Sequence, residues 1–232
     1  MRRSRKVSAA SGVMCPFGNN STVLPSGSMR ASASVIIAKR AMCVLACAGR
    51  MALDPESLPD HPTPLLTQDA IAARVADLAA QIRADYASTR GLHMVCVLKG
   101  AFVFFSDLVR QLDRHVTLDF IVVSSYHKAT RSSGEVRLIK DLDTGIEGRD
   151  VMIVEDIVDT GLTLTYLQDM FRARRPKTLR TACLLSKPSR RQVDVKVDYI
   201  GFTIEDRFVI GYGLDYAERH RNLPYIGVLD EV

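Results

Sequence analysis

The segment Val151–Leu164 reads VMIVEDIVDTGLTL, and the fold turns on it. Val151 to Val154 are four consecutive apolar residues, which predict a buried strand. Glu155 and Asp156 follow, then Asp159, Thr160, Gly161 and Thr163, and then a helix-like run. In open α/β sheets, ligands bind at the carboxyl ends of the parallel strands. Successive backbone N–H groups in a small-residue turn make a nest for an anion, and the helix that starts there adds positive potential. The pattern suits a phosphate in the turn, with carboxylates alongside for Mg²⁺ or ribose hydroxyls. Taken alone, the turn also reads as an ordinary strand-to-helix connection with a good cap. No G-x-x-x-x-G-K-[ST] occurs in the chain, so the site is not a Walker loop.

Outward from this segment, helical and strand periods alternate. Pro55, Pro59, Pro62 and Pro64 predict an entry loop. Thr67 is a candidate N-cap for a helix to Tyr86, with Ile71, Val75, Leu78, Ile82 and Tyr86 on one face. His93–Leu98 predicts a strand buried on both sides. A helix from Ala101 should turn Phe102, Phe105, Leu108, Val109 and Leu112 inward. Val116–Val123 predicts the next strand, and the polar residues 125–135 a loop. After the motif strand at 151–154, a helix carries Leu164, Leu167, Met170 and Phe171 and stops before Pro176. Leu179–Leu185, Tyr199–Ile204, Phe208–Ile210 and Tyr225–Leu229 predict further strands. This order implies an α/β fold with a mostly parallel sheet flanked by helices.

Charge is unevenly placed. Eight of the 31 Lys/Arg and none of the 26 Asp/Glu lie in residues 1–50, leaving 23 basic and 26 acidic residues, net −3, in 51–232. A mildly acidic globular part argues against a nucleic-acid partner. Cys96 and Cys183 sit in predicted buried strands as small apolar fillers, and no cysteine spacing resembles a zinc site or a disulfide framework, which fits a reducing, cytoplasmic setting. The apolar run Ala41–Ala48 is too short to span a membrane. Residues 1–60 read as a disordered or over-extended N-terminal segment, with translation beginning near Met51. A targeting peptide or a dispensable tail are the alternatives. Residues 61–232 are the expected folded domain.

From Leu65 to Leu229 the chain resembles the hypoxanthine-guanine phosphoribosyltransferases, members of the type I phosphoribosyltransferase family. The motif segment matches that family's site for phosphoribosyl pyrophosphate (PRPP). Four further segments carry the likeness: VCVLKGAFVF (Val95–Phe104), SSYHKATRSSGEVRL (Ser124–Leu138), LLSKP (Leu184–Pro188) and FVIGYGLDYAERHRNLP (Phe208–Pro224). The last two point to enzymes acting on 6-oxopurines. The resemblance implies the type I fold with a small hood subdomain. It also implies a pentosyltransferase of purine salvage that makes IMP or GMP from PRPP and hypoxanthine or guanine.

The resemblance also implies roles for residues. Asp159 is the general base or proton-sharing partner for purine N7. Glu155 and Asp156 serve the ribose hydroxyls and, with Asp215, Mg²⁺. Thr160, Gly161 and Thr163 hold the 5-phosphate, although position 162 is Leu where some members carry Lys. Leu98, Lys99, Gly100 and Arg221 bind pyrophosphate, and the peptide before Lys99 is cis in some members. Lys187 reads the 6-oxo group, Phe208 stacks on the purine, and the backbone at Val209 reads its edge. Ser125 and Tyr126 close over the centre, and a homodimer or homotetramer is expected. Without the resemblance, Asp159 could equally cap a helix, Lys99 be a solvated strand-end lysine, Phe208 belong to the core, and Asp215 and Arg221 be surface charges. A xanthine-preferring relative and a PRPP-sensing regulator of the same fold are the alternative functions.

Overall fold

A computed structural model of the chain describes residues 62–125 and 136–229. Near-continuous apolar runs produce the main sheet. Its six strands are β2 (Leu92–Leu98), β3 (Val116–Ser125), β4 (Val136–Lys140), β5 (Asp150–Val158), β6 (Thr178–Ser186) and β7 (Tyr199–Thr203), in the spatial order β4-β3-β2-β5-β6-β7. Every pairing is parallel except β3 with β4. From β2 the chain moves outward to β3, and from β5 it moves outward to β6 on the other side. The order therefore reverses between the adjacent strands β2 and β5, and the crevice at their carboxyl ends is where such a sheet accepts a ligand.

Among the described residues three α-helices cover the sheet. α1 (Gln68–Asp85) starts as predicted, with the Thr67 hydroxyl accepting from Ala70 N–H at 3.2 Å. Its residues Ile71, Val75, Leu78 and Ile82 are buried, and so is Tyr86 just beyond its end. α1 and α2 (Phe102–Arg110) share one core with Met94, Cys96, Met152 and Val154. α3 (Leu162–Ala173) lies over the other face, where Leu164, Leu167 and Phe171 pack on Val95, Val97, Val151 and Ile153. Alternate residues of β2 and β5 thus point into two different cores, which is why these strands read as unbroken apolar runs. Cys96 and Cys183 are free and buried. No helix among the described residues is long and apolar enough to cross a membrane.

A second, antiparallel sheet has the order β1-β9-β8, formed by β1 (Thr63–Leu66), β8 (Val209–Ile210) and β9 (Ile226–Val228). This is the small hood. Its residues Val209, Tyr212, Leu214, Ile226 and Val228 join the core under α1 and α2.

Four expectations need correction. The motif strand does not end at Val154: it runs to Val158, because Ile157 and Val158 go on pairing with Leu185 and Ser186 of β6. Residues 63–66 are a strand, not part of a loop: they pair antiparallel with β9 as an edge strand, with an irregularity just after Pro64. β4 was not anticipated. On α2, Phe104 takes the fully buried place assigned to Phe102, which is 44% exposed. With α2 beginning at Phe102, Phe104, Phe105 and Leu108 define the inward face.

Candidate active site

The carboxyl ends of β2, β5 and β6 deliver most of the predicted residues to one edge. Lys99 and Gly100 follow β2, Asp159 to Gly161 follow β5, and Lys187 follows β6. Glu155 and Asp156 lie inside β5. The Leu98–Lys99 peptide is cis. Across the β2/β5 crevice the Asp156 carboxylate occupies the place where a Cβ on Gly100 would stand, so a side chain there would have to displace it. A Cβ added at Gly213, in the hood segment, would collide with the Gly100 carbonyl, and the φ of +102° there also favours glycine.

The two β5 carboxyls are electrostatically unusual. Burial holds Glu155 well above the usual carboxylate range, and the neighbouring Asp156 adds to this. Glu155 Oε2 is buried and makes no hydrogen bond. Burial also pushes Asp156 up to about 6, against the opposing hydrogen bond from Ile157 N–H (2.8 Å) and the positive charge of Arg221; Asp215 reinforces the rise. Uncompensated buried carboxyls of this kind are stabilised by a cation or by hydroxyl donors. Among the described residues no group of three or more His, Cys, Asp or Glu side chains is set to hold a metal. These carboxyls do not build a closed metal site, so a cation here would take most of its ligands from substrate and water, as Mg²⁺ does.

The motif turn is open for an anion. Gly161 has φ +87° and forms the N-cap of α3, and no side chain caps that helix. Asp159 is therefore not the cap. The nearest hydroxyl, Thr160 Oγ1, is a long 3.4 Å from Leu162 N–H. Thr160, Gly161 and Thr163, at the start of α3, line a depression of about 80 Å³ with Glu155 and Asp159, where the helix's first N–H groups favour an anion.

The other candidates form two charged groups. In one, Lys99 Nζ donates to Glu218 Oε2 at 3.0 Å, and Arg221 bonds Asp215 Oδ1 at 2.8 Å and the Gly213 carbonyl at 2.8 Å. Arg221 would have to exchange partners for Asp215 to bind a cation. In the other, the buried Lys187 lies 3.7 Å from Asp206 Oδ1, and Asp159 accepts from Arg190 Nε at 3.2 Å. Phe208 is 46% exposed at the start of the hood strand, with Tyr216 edge-on at 5.5 Å, so its ring lies at the surface and is not core. Val209 is buried beside it. Ser125 ends β3, and Tyr126 lies outside the described residues. Glu218, Arg190 and Asp206 were not legible as site residues, because each is defined by a partner distant in sequence.

Residues 63–217 match the family model described as "Phosphoribosyl transferase domain". The chain is 52% identical over 165 residues to a hypoxanthine-guanine phosphoribosyltransferase of Bacillus subtilis (strain 168), covering 71% of this chain and 91% of the relative. A relative of the same name from Streptococcus thermophilus (strain CNRZ 1066) is 49% identical over 167 residues, covering 72% and 92%. Among solved structures, a hypoxanthine-guanine phosphoribosyltransferase from Bacillus anthracis superposes with a TM-score of 0.68 at 45% identity, over 72% of this chain and 97% of that one. Hypoxanthine phosphoribosyltransferase from Trypanosoma cruzi, in complex with the product IMP, gives 0.69 at 42% identity, over 74% and 96%.

Proposed function

The chain belongs to the phosphoribosyl transferase domain family and, within it, to the hypoxanthine-guanine phosphoribosyltransferases, and on that premise we propose how its residues divide the reaction. The enzyme transfers the 5-phosphoribosyl group of PRPP to hypoxanthine or guanine, giving IMP or GMP and pyrophosphate. Purine N9 attacks C1 of the ribose as the bond from C1 to the pyrophosphate oxygen breaks, with inversion at that carbon. Positive charge grows on the ring in an oxocarbenium-like transition state. The protein must orient two reactants, neutralise a leaving diphosphate and keep water away.

The observation that carries the assignment is the pairing of an α3 N-terminus whose N-cap residue offers no side-chain bond with a buried carboxyl, Glu155, left without a partner at Oε2 and next to Asp156 on the preceding strand. The turn Thr160–Thr163 holds the 5-phosphate through backbone N–H groups and hydroxyls. Glu155 and Asp156 receive the ribose hydroxyls. Mg²⁺, when bound, would supply countercharge to the pyrophosphate, with Asp215 on its protein side and Glu155 and Asp156 reaching it through the ribose hydroxyls or water. Lys99, Gly100 and Arg221 receive the pyrophosphate. Glu218 then gives up Lys99, an exchange of one exposed ion pair for a stronger charge-assisted contact.

Lys187 donates to the purine 6-oxo group, and an amino group there would present donor to donor. Phe208 stacks on the ring, and the backbone at Val209 reads its far edge. Asp159 takes the proton from N7 as N9 becomes bonded. Ser125 and Tyr126 close the site. The folded domain spans 61–232, acts as a homodimer or homotetramer, and works in the cytoplasm, where the two free buried cysteines remain thiols.

The test is Asp159→Asn. PRPP affinity should be retained while kcat falls by about 10²–10⁴-fold, the range of general acid–base contributions. Turnover near the parent rate would remove Asp159 from the proton transfer.

A further inference from the structure

The segment after β6 is laced to the motif turn. Lys187 N–H donates to the Val158 carbonyl at 3.0 Å, and Gln192 N–H to the Thr160 carbonyl at 3.0 Å. Arg191 donates to the Asp159 carbonyl at 2.8 Å and to Ser186 Oγ at 3.0 Å. These bonds fix the backbone of Asp159 and leave its carboxylate to be oriented. Arg190 supplies that contact: its Nε donates to Asp159 Oδ1 at 3.2 Å. Arg190 Nη1 is also 3.6 Å from Asp206 Oδ2, and Asp206 Oδ1 is 3.7 Å from Lys187 Nζ. The result is a row of alternating charge: Asp159, Arg190, Asp206, Lys187.

We propose that Arg190 is a positioning residue for the transfer reaction. It holds the Asp159 carboxylate where purine N7 will arrive and, through Asp206, keeps it at a set distance from Lys187. The inference rests on the roles given above to Asp159 and Lys187. N7 and the 6-oxo group are adjacent on one edge of a 6-oxopurine, so the carboxylate and the ammonium that meet them must stand a fixed distance apart. Left alone, two opposite charges flanking an empty purine site attract one another, and their ion pair would have to be broken before purine could enter. The interposed Arg190–Asp206 pair gives each a different partner. Arg190 suits the task because its planar guanidinium can face two carboxylates from two nitrogens at once. The side chains of Arg190, Asp159 and Asp206 are 45%, 41% and 41% exposed, so the bridges add little to stability, and their loss should appear in turnover.

The experiment uses the full chain with Arg190→Gln, Arg190→Lys, Asp159→Asn and the double variant R190Q/D159N, assayed with hypoxanthine and PRPP in Mg²⁺. R190Q should lower kcat about tenfold, as a misplaced but intact catalytic group does. It should leave the PRPP KM and the melting temperature unchanged, and R190K should recover most of the loss. In the D159N background R190Q should change kcat less than twofold, because nothing remains to position. An equal R190Q loss with and without Asp159 would overturn the proposal, as would parent-level turnover by R190Q or a melting temperature many degrees lower. Parent-level turnover by D159N would instead overturn the proton-transfer role of Asp159, and the positioning role with it.

Discussion

Gly100 and Asp156 meet across the crevice between β2 and β5, and a Cβ on Gly100 would fall within the van der Waals envelope of the Asp156 carboxylate. In the roles proposed above, this contact joins the segment assigned to pyrophosphate to a carboxyl assigned to ribose and metal, so one bound PRPP would meet both strands at once.

Gly100→Ala should therefore act on PRPP more than on purine. The added methyl must displace Asp156 or bend the end of β2, a strain of about 1–3 kcal/mol. The PRPP KM should rise at least about tenfold while the hypoxanthine KM stays within about threefold. Measuring both constants checks this. A normal PRPP KM would mean that the crevice opens freely.

Glu155 and Asp156 make ligand-free stability depend on pH in an uncommon direction. Both carboxyls are raised in the folded state, Asp156 from 3.8 to about 6. Between these values the folded protein keeps a proton that the unfolded chain has released, so stability falls as pH rises from about 4 to about 6 and stays lower above that. Asp156 alone contributes a loss of about 3 kcal/mol. Without Mg²⁺ and PRPP, Asp156→Asn should melt about 5–10 °C above the parent at pH 7.5, while binding PRPP poorly. Calorimetry over pH 4–8 tests this. A variant that melts below the parent would contradict it.

Lys187→Ala should raise the KM for hypoxanthine and guanine about 10- to 100-fold, the value of a hydrogen bond from a charged donor. Rejection of adenine should relax, since the donor that opposes a 6-amino group is gone. Steady-state kinetics with the three bases check this. An unchanged hypoxanthine KM would mean that Lys187 serves only its contact with Asp206.

Some of this was legible in the sequence. The Thr67 cap and the spacing of Ile71, Val75, Leu78 and Ile82 are local, and α1 begins and buries as they require. The motif places Asp159 and its glycine turn after a strand and before a helix, as β5 and α3 have them, but Glu155 and Asp156 lie inside β5, not beyond its end. The misses have non-local causes. β1 depends on pairing with β9 at the other end of the chain, and β4 on antiparallel pairing with β3. Phe104 and Phe102 exchange places because a two-residue shift on a helix changes the face presented. Arg190 reads as one more charge in SKPSRRQ until the fold brings Asp159 and Asp206 beside it.

Residues 1–50 carry the chain's excess positive charge, and the family match begins at residue 63. A protein beginning at Met51 should keep full kcat/KM with hypoxanthine and melt within a few degrees of the full chain, as holds when no buried area is lost. Aggregation or a much lower melting temperature would show that the N-terminal segment packs on the domain.

The most direct test is steady-state turnover of the full chain with hypoxanthine, guanine, xanthine and adenine at one saturating concentration of PRPP in Mg²⁺. Hypoxanthine and guanine should both be converted to their nucleotides with release of pyrophosphate. Xanthine should be slower, and adenine slower by at least about 10²-fold, because Lys187 would face a donor. Adenine consumed as fast as hypoxanthine, or no pyrophosphate released with any of the four bases, would contradict the assignment of this site to 6-oxopurine phosphoribosyl transfer.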